Sequence, residues 1–351
     1  MLRGFMSLGA FGKIVSFLKK DVGQIFSVDT LKNIGKLANT DVSDIMGDSK
    51  ASKLLVEIEK NPDKVENYIQ LAEFYRYKNN INKAVDVYLG LAQRELNIKH
   101  LDIAASYVKM GLNVAPDNGL LNKFSADIDI RKGKFSDAAE KYRAAVNYYI
   151  KKGDRMTAIY LLHTIKEMNK ATVRDLLNLS SILIHENMAD EAEKILMSIR
   201  ESHKQGEISN VRDLEACLMM LYSMKKDDDV ILGELIEARI EIGQYESVMV
   251  LLKKLIAKDP ENVNFLKRQA FVYKQMGDIN NCVKIFKVIA NIYAKQNNLI
   301  YRNIYYHKVL KYAPDDVEAL SILKMDDQIR EKLDSKIENT DSKIKIFDHL
   351  E

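Results

Sequence analysis

Apolar residues recur at helical spacing in three successive stripes along the first part of this chain. The first stripe lies between Tyr68 and Tyr75, and the second, longer stripe runs from Ile81 to about Ile98. A third stripe runs from Leu101 to Leu112 and is followed by Pro116. Apolar positions spaced three and four apart indicate amphipathic helices, so the pattern predicts three helices with the longest in the middle.

The same pattern returns every 54 residues. A small residue near the start of the predicted second helix marks the period, as Ala84, Ala138, Ala192 and, in the last repeat, Cys282. The predicted repeats are 65–118, 119–172, 173–226 and 263–316, with a shorter one at 227–262. A fixed period above about 20 residues is typical of a stacked array, in which each repeat buries its apolar face only against its neighbours.

Each break between stripes needs a residue that can end a helix. Gly and Asn adopt positive φ at little cost, and a residue with positive φ often follows a helix end. The first break contains Asn79, Gly133, Asn187 and Gly277. The second contains Lys99, Gly153, Glu207 and Asn297. The first set is chemically consistent, whereas the second includes a Lys and a Glu.

At these residues the chain resembles the tetratricopeptide repeat family, in the form of a bacterial-type scaffold protein. That family pairs two antiparallel helices, with an aromatic, a Leu, a small residue and a Tyr on the first. A Gly at the turn, then a small residue and an aromatic on the second helix, and a final Pro complete the pattern. The matching residues are Tyr68, Leu71, Ala72, Tyr75, Ala84 and Tyr88; Ala126, Gly133, Phe135, Ala138, Tyr142 and Ala145; and Ala270, Tyr273, Gly277 and Phe286. The resemblance covers about residues 50–320.

The repeat is longer than the family's unit of about 34 residues. We expect the extra residues to form a third helix, and the middle helix to serve in two pairs. Leu91–Ala92, Ala145–Val146 and Ile289–Ala290 would supply the Leu–small pair for the second use. The resemblance therefore implies an all-α fold: a right-handed α-helical solenoid of antiparallel helices, mostly in three-helix repeats of 54 residues.

The two ends of the chain differ from the repeats. Residues 1–26 are predicted to form a basic amphipathic helix, followed by a linker at 27–48, the solenoid at 49–316, a capping helix at 317–338 and a flexible tail at 339–351. The apolar stripe of the N-terminal helix comprises Leu8, Phe11, Val15, Leu18 and Val22, with Lys13 and Lys20 opposite. Such a helix can dock on the solenoid's own helices or groove, lie on an anionic membrane, or bind a partner's groove.

Composition favours a folded protein without a membrane span. Apolar residues make up 47% of the chain, the net charge is +3, and no run of 18 apolar residues occurs. Cys217 and Cys282 are far apart in sequence, which favours a reducing compartment over a disulfide framework. The N-terminus lacks the features of a secretory signal. We therefore expect a cytoplasmic protein, with a peripheral position at the inner face of the membrane as the alternative.

The sequence contains no recognisable catalytic or metal-binding motif. Its six histidines are scattered, no P-loop is present, and no Gly-x-Ser-x-Gly element occurs. Lys and Arg are interleaved with Asp and Glu along the chain, which does not favour nucleic-acid binding. The predictions are therefore no enzyme, no cofactor, no metal and no nucleic-acid partner.

In the tetratricopeptide family, solvent-facing residues of the first helices line a concave surface that binds partner peptides. The resemblance assigns to that surface Glu73, Arg76, Tyr77, Lys123, Asp127, Arg131, His185, Glu237, Lys267, Phe271 and Lys274. Asp127 stands beside Lys123 where a clamp for a terminal carboxylate would have Asn, so a chaperone-tail clamp is not expected.

The predicted function is a non-catalytic scaffold or adaptor that binds a protein or peptide partner, because aromatic and Arg residues are the usual anchors of such surfaces. The alternative is a membrane-associated assembly factor for a secretion, pilus or envelope complex. In that case the N-terminal helix would make the peripheral membrane contact.

A liposome flotation experiment separates these two functions. If residues 1–26 bind lipid, the full chain will float with anionic liposomes and a chain lacking residues 1–26 will stay in solution. The reason is that the apolar face would be buried in the membrane while the basic residues contact lipid headgroups. Equal recovery of both chains with the liposomes would contradict the membrane role.

Overall fold

Helices account for nearly all of the described protein. A computed structural model describes residues 49–325 and residue 328, and these contain no strand. In chain order the helices are α1 (Ser49–Lys60), α2 (Val65–Tyr77), α3 (Ile81–Asn97), α4 (Leu101–Val114), α5 (Gly119–Arg131), α6 (Phe135–Lys152), α7 (Arg155–Glu167), α8 (Val173–His185), α9 (Ala189–Lys204), α10 (Val211–Met224), α11 (Asp229–Glu241), α12 (Tyr245–Lys258), α13 (Val263–Gln275), α14 (Ile279–Lys295) and α15 (Leu299–Tyr312). A further helix, α16, begins at residue 317 and extends to at least 325.

The predicted N-terminal helix at 1–26, the linker at 27–48 and the tail at 339–351 lie outside the described residues. Most of the predicted capping helix beyond residue 325 lies outside them too. Among the helices that are described, none combines the length and apolar character needed to cross a membrane.

The helices form two compact modules that divide between Met197 and Ser198, inside α9. The N-terminal module contains α1–α8 and the first part of α9, and the C-terminal module contains the remainder. Consecutive helices from α1 to α8, and again from α10 to α15, pack against one another in sequence order, which is the arrangement of a helical solenoid. The all-α fold and the three-helix repeat are therefore confirmed.

The length of the repeat follows from matching helix positions. The first helices α2, α5 and α8 begin at Val65, Gly119 and Val173, which are 54 residues apart. Each is followed by a second and a third helix, whereas residues 227–262 contain only α11 and α12.

A small residue on the second helix of each 54-residue repeat allows the helix pair to close. Ala84, Ala138, Ala192 and Cys282 are each 0% exposed. The distance between two packed helices depends on the side chains at their contact. A larger side chain at any of these positions would force the helices apart or leave strained rotamers, which typically costs about 1–3 kcal/mol.

The middle helix of the first repeat has two buried faces. Tyr88 and Leu91 of α3 belong to an apolar cluster with residues of α1 and α2. Leu89 and Ala92 of the same helix belong to a second cluster with residues of α4 and α5. The helix therefore packs as the second member of one pair and the first member of the next, as the sequence predicts, but Leu91 lies in the first cluster and only Ala92 of the predicted Leu–small pair lies in the second.

A tyrosine hydrogen bond recurs in both kinds of helix pair. Between first and second helices, Tyr88 Oη donates to Glu73 Oε1 at 3.0 Å and Tyr142 Oη donates to Asp127 Oδ1 at 2.5 Å. Between the second and third helices of the last repeat, Tyr306 Oη donates to Asn291 Oδ1 at 3.0 Å. In every case donor and acceptor are 15 residues apart. The equal spacing shows that α14 and α15 repeat the geometry of a first and second helix.

The turns between helices depend on residues with positive φ. The four residues predicted at the first break all have it, with φ of 58° at Asn79, 76° at Gly133, 61° at Asn187 and 76° at Gly277. At the second break Lys99, Gly153 and Asn297 also have positive φ. The prediction of Glu207 is wrong, because α9 ends at Lys204 and Gly206 takes the left-handed conformation with φ of 75°.

Among the turn residues with positive φ named above, Lys99 is the one that is neither Gly nor Asn. Its φ is 65°, and a side chain in that conformation is disfavoured by contact with the backbone. Lys99→Gly will raise the free energy of unfolding by about 0.5–1 kcal/mol, because Gly adopts the conformation without strain and the Lys99 side chain is exposed. Urea denaturation followed by circular dichroism measures the change. The matched control is Gly153→Lys, which will destabilise; no gain from Lys99→Gly would contradict the argument.

Candidate partner-binding surface

The residues predicted for the partner surface differ in how much they contact solvent. In the N-terminal module Arg76, Arg131 and His185 are exposed, and Tyr77 is 85% exposed at the end of α2. Exposure of this extent leaves an aromatic ring available to a partner. These residues therefore remain candidates, whereas their acidic neighbours have structural partners.

Glu73 is held by two side chains of its own module. It accepts hydrogen bonds from Arg76 Nε at 2.8 Å and from Tyr88 Oη at 3.0 Å. Burial, together with the Glu73 carboxylate, raises the pKa of Tyr88 to about 12. Glu73 thus connects the first and second helices, and its charge is largely matched by Arg76.

Asp127 is buried, which corrects the expectation that it faces solvent. It is 4% exposed and accepts a hydrogen bond from Tyr142 Oη at 2.5 Å. Lys123 Nζ lies 3.4 Å from its other carboxylate oxygen. Burial raises the pKa of the Asp127 carboxyl, and the nearby Lys123 ammonium opposes that shift. Asp127 therefore belongs to the core between α5 and α6, and the half-buried Lys123 pairs with it on α5.

In the C-terminal module, three predicted residues share one exposed face of α13. Phe271 is 43% exposed, and Lys267 and Lys274 lie one turn before and one turn after it. Within residues 49–325 neither lysine forms an ion pair, whereas Glu237 on α11 pairs with Arg268. The face of α13 thus presents an exposed ring between two cations.

A group of lysines and aromatic rings next to this face is absent from the sequence prediction. We name it the lysine–aromatic cluster; its members are Lys274, Phe286, Tyr305, Lys308, Lys311 and Tyr312. Lys308 Nζ lies 4.5 Å from the ring centroid of Tyr305, and Lys274 Nζ lies 5.9 Å from that of Tyr312. These are cation–π distances, so the rings help to hold the ammonium groups in place.

The rings of the cluster also contact one another. The centroids of Phe286 and Tyr312 are 6.2 Å apart in a stacked arrangement, and those of Phe286 and Tyr305 are 6.0 Å apart. Lys311 Nζ lies 6.0 Å from the centroid of Tyr312. Side chains from α13, α14 and α15 therefore meet in one cluster, in which exposed lysines lie over the buried ring of Tyr305 and the half-buried rings of Phe286 and Tyr312.

The charge of this part of the chain differs from that of the whole. Residues 263–312 contain nine Lys or Arg and a single acidic residue, Asp278, while the whole chain has a net charge of +3. The expectation that basic and acidic residues are interleaved along the chain is therefore wrong for these three helices. Charge counted repeat by repeat, rather than over the full length, would have revealed the difference.

The described residues contain no cluster of three or more His, Cys, Asp or Glu side chains suited to a metal ion. Cys217 is buried, and burial raises the pKa of its thiol to about 12. A thiol in that state is largely protonated and packs as a small apolar side chain. The side chains exposed on this surface are those of Phe271, Lys267, Lys274, Lys308 and Lys311.

Comparison with known proteins finds similarity only to solved structures. The MamA protein is 14% identical over 61% of this chain and 93% of its own, with a TM-score of 0.23. The TPR2AB domain of yeast Sti1, in a complex with pHSP90, is 14% identical over 67% of this chain and 100% of its own, with a TM-score of 0.29. A tetratricopeptide repeat protein from Parabacteroides merdae is 13% identical over 68% and 97%, with a TM-score of 0.20.

A scan against protein-family models finds no match, and neither does a search of curated proteins. The chain's own helices and their packing within each module define its fold.

The burial of Asp127 leads to a prediction that separates a structural role from a binding role. Asp127→Ala will lower the free energy of unfolding by about 2 kcal/mol, because the buried hydroxyl of Tyr142 loses its acceptor. Chemical denaturation measures the loss. Asp127→Asn keeps an acceptor oxygen and will lose less, and the exposed Arg131→Ala will change stability by less than about 0.5 kcal/mol. Equal stability of Asp127→Ala and the unmodified chain would contradict the structural role.

Proposed function

We propose that this chain, which has a fold of the tetratricopeptide-repeat type, is a non-catalytic scaffold that binds a protein or peptide partner. The observation that carries this proposal is the exposed face of α13, where Phe271 is 43% exposed between Lys267 and Lys274. Burial of a Phe side chain from water is worth roughly 1.5–3 kcal/mol. An exposed ring flanked by charges is therefore a suitable anchor for a partner surface.

The N-terminal module offers a second candidate surface. Tyr77 is 85% exposed at the end of α2, and Arg131 is exposed at the end of α5. A tyrosine supplies a large contact area with one polar group, and Arg donates several hydrogen bonds from a planar group. These two residues support a partner contact on this module more strongly than Glu73 or Asp127, whose side chains already have partners.

The membrane-associated alternative depends on residues 1–26, which lie outside the described part of the chain. It would place the protein at the inner face of the membrane as a peripheral component of an assembly. The side-chain contacts of α1–α16 give it no specific support. The exposed side chains of α13 therefore favour the scaffold function, in the cytoplasm, over the membrane-associated one.

The test compares partners retained by the full chain and by two variants. Phe271→Asp will reduce recovery of a stoichiometric partner by about tenfold or more, because a charge replaces the apolar anchor. The measurement is quantitative mass spectrometry of proteins co-purified from the cells that make the chain. The matched control is Val250→Asp, since Val250 is also an apolar side chain, 60% exposed, on α12.

Two results would contradict the proposal for this surface. One is the same partner recovered in the same amount with Phe271→Asp as with the unmodified chain. The other is an equal decrease in partner recovery with Phe271→Asp and with Val250→Asp, which would indicate a general effect of an added charge. Circular dichroism and urea denaturation of each variant verify that the fold is retained.

A further inference from the structure

The lysine–aromatic cluster presents ammonium groups whose charge is not matched by neighbouring carboxylates. Within residues 49–325, Lys274, Lys308 and Lys311 form no ion pair. The carboxylates closest in sequence are Asp278 on the α13–α14 turn and Asp315, Asp316 and Glu318 after α15. Asp316 and Glu318 both pair with Lys287, at 2.6 and 2.9 Å, and Asp278 accepts a hydrogen bond from Asn281 at 2.7 Å. Asp315 is exposed in the turn after α15.

The aromatic faces of the cluster are covered by lysine side chains or by other rings. This distinguishes between nucleic acid and an acidic peptide as the ligand. Lys308 lies over Phe286 and Tyr305, and Lys274 and Lys311 lie over Tyr312. Proteins that bind single-stranded nucleic acid stack bases on open aromatic faces. In the cluster those faces contact lysine side chains or one another, so the groups presented to a ligand are the ammonium ions. This arrangement favours carboxylates over stacked bases.

The arrangement also favours several carboxylates over a single one. The three ammonium groups come from two helices and lie over three different rings, with Lys308 4.5 Å from Tyr305 and Lys274 5.9 Å from Tyr312. A single terminal carboxylate would leave part of this charge without a partner. Phe271, one turn before Lys274 on α13, adds an exposed apolar contact beside the charged groups.

We propose that the lysine–aromatic cluster and Phe271 together bind an acidic internal segment of the partner protein. Carboxylates of that segment contact Lys274, Lys308 and Lys311, while one of its apolar side chains packs on Phe271. This inference rests on the proposed scaffold function and specifies the chemistry of the partner. The net positive charge of residues 263–312 would also attract such a segment over a longer distance at low salt.

The experiment uses the full chain and a short synthetic peptide of Glu and Asp with one Leu. The peptide is acetylated and amidated, so no terminal carboxylate is present, and a version with Gln and Asn replacing the acids serves as the neutral probe. Fluorescence anisotropy of the labelled peptides measures affinity at two salt concentrations. The acidic peptide will bind more tightly than the neutral one, and added salt will weaken it.

Two triple variants with the same change in charge locate the site. The first variant carries Lys274→Gln, Lys308→Gln and Lys311→Gln. Its affinity for the acidic peptide will be about tenfold lower, since each exposed ion pair contributes a modest share of the binding free energy. Lys109→Gln, Lys166→Gln and Lys253→Gln in another chain will leave its affinity nearly unchanged. All six lysines are exposed, so neither variant removes a buried contact.

Several results would overturn the inference. Equal binding of the acidic and neutral peptides would exclude carboxylate recognition, and equal loss in both triple variants would indicate general charge attraction. Tighter binding of a single-stranded oligonucleotide or of anionic phospholipid vesicles, lost only in the cluster variant, would assign the surface to that ligand instead. A dimer lost only in the cluster variant would assign it to a second copy of the chain.

The outcome is separable from that of the scaffold proposal. The acidic peptide could fail to bind while a partner is still recovered with the unmodified chain and lost with Phe271→Asp. In that case the scaffold function stands, and the proposal that the partner binds through an acidic segment is wrong. If the peptide binds at the cluster but no partner is recovered, the scaffold proposal fails while the carboxylate preference of the surface stands.

Discussion

The close approach of two helices at a small side chain is the constraint on which the rest of this structure depends. Ala84, Ala138, Ala192 and Cys282 are each completely buried near the start of a second helix. With so little side chain at the contact, the first and second helices can pack closely enough for larger residues further along to meet. Tyr88 and Tyr142 then reach their acceptors on the first helix. The small residue at this contact recurs in the sequence with the repeat length of 54 residues in the first three repeats.

The pairing of the middle helix with the third helix differs between the first and the last repeat in how fully its buried polar groups are hydrogen-bonded. In the last repeat Asn291 accepts a hydrogen bond from Tyr306. The corresponding residues of the first repeat are Gln93 and Val108, also 15 residues apart, so the acceptor is present but the donor is not. Gln93 Oε1 accordingly has no hydrogen-bond partner within the described residues, although its Nε2 donates to Asn97 Oδ1 at 2.8 Å. A buried acceptor in this state costs stability, so the second pairing is less complete in the first repeat.

Much of the fold was predictable because its signals are local or periodic. Apolar spacing identified the helices, and the Gly and Asn residues at the first break all have positive φ. The second break was predicted one residue too late in the third repeat, because the position was taken from the period while α9 ends before Gly206. The period carries no information about a local shift of that kind.

The candidate site was less predictable, since it depends on contacts between helices. The family resemblance implies that Asp127 faces solvent, but Tyr142 on α6 donates a hydrogen bond to it and the carboxylate is buried. The lysine–aromatic cluster cannot be predicted from the first helices alone, because it combines side chains from α13, α14 and α15. A net charge summed over the whole chain also concealed the basic character of residues 263–312.

A middle helix with two buried faces limits how such a chain can be lengthened or shortened. In an array of independent hairpins, one pair can be duplicated or deleted at any boundary without exposing apolar surface inside a hairpin. Here a cut after α3 or α14 would leave one buried face of that helix uncovered, because each completes one pair and begins another. Within the three-helix repeats, evolutionary gain or loss of sequence is therefore least disruptive in blocks of three helices, with joints just before α2, α5, α8 or α13.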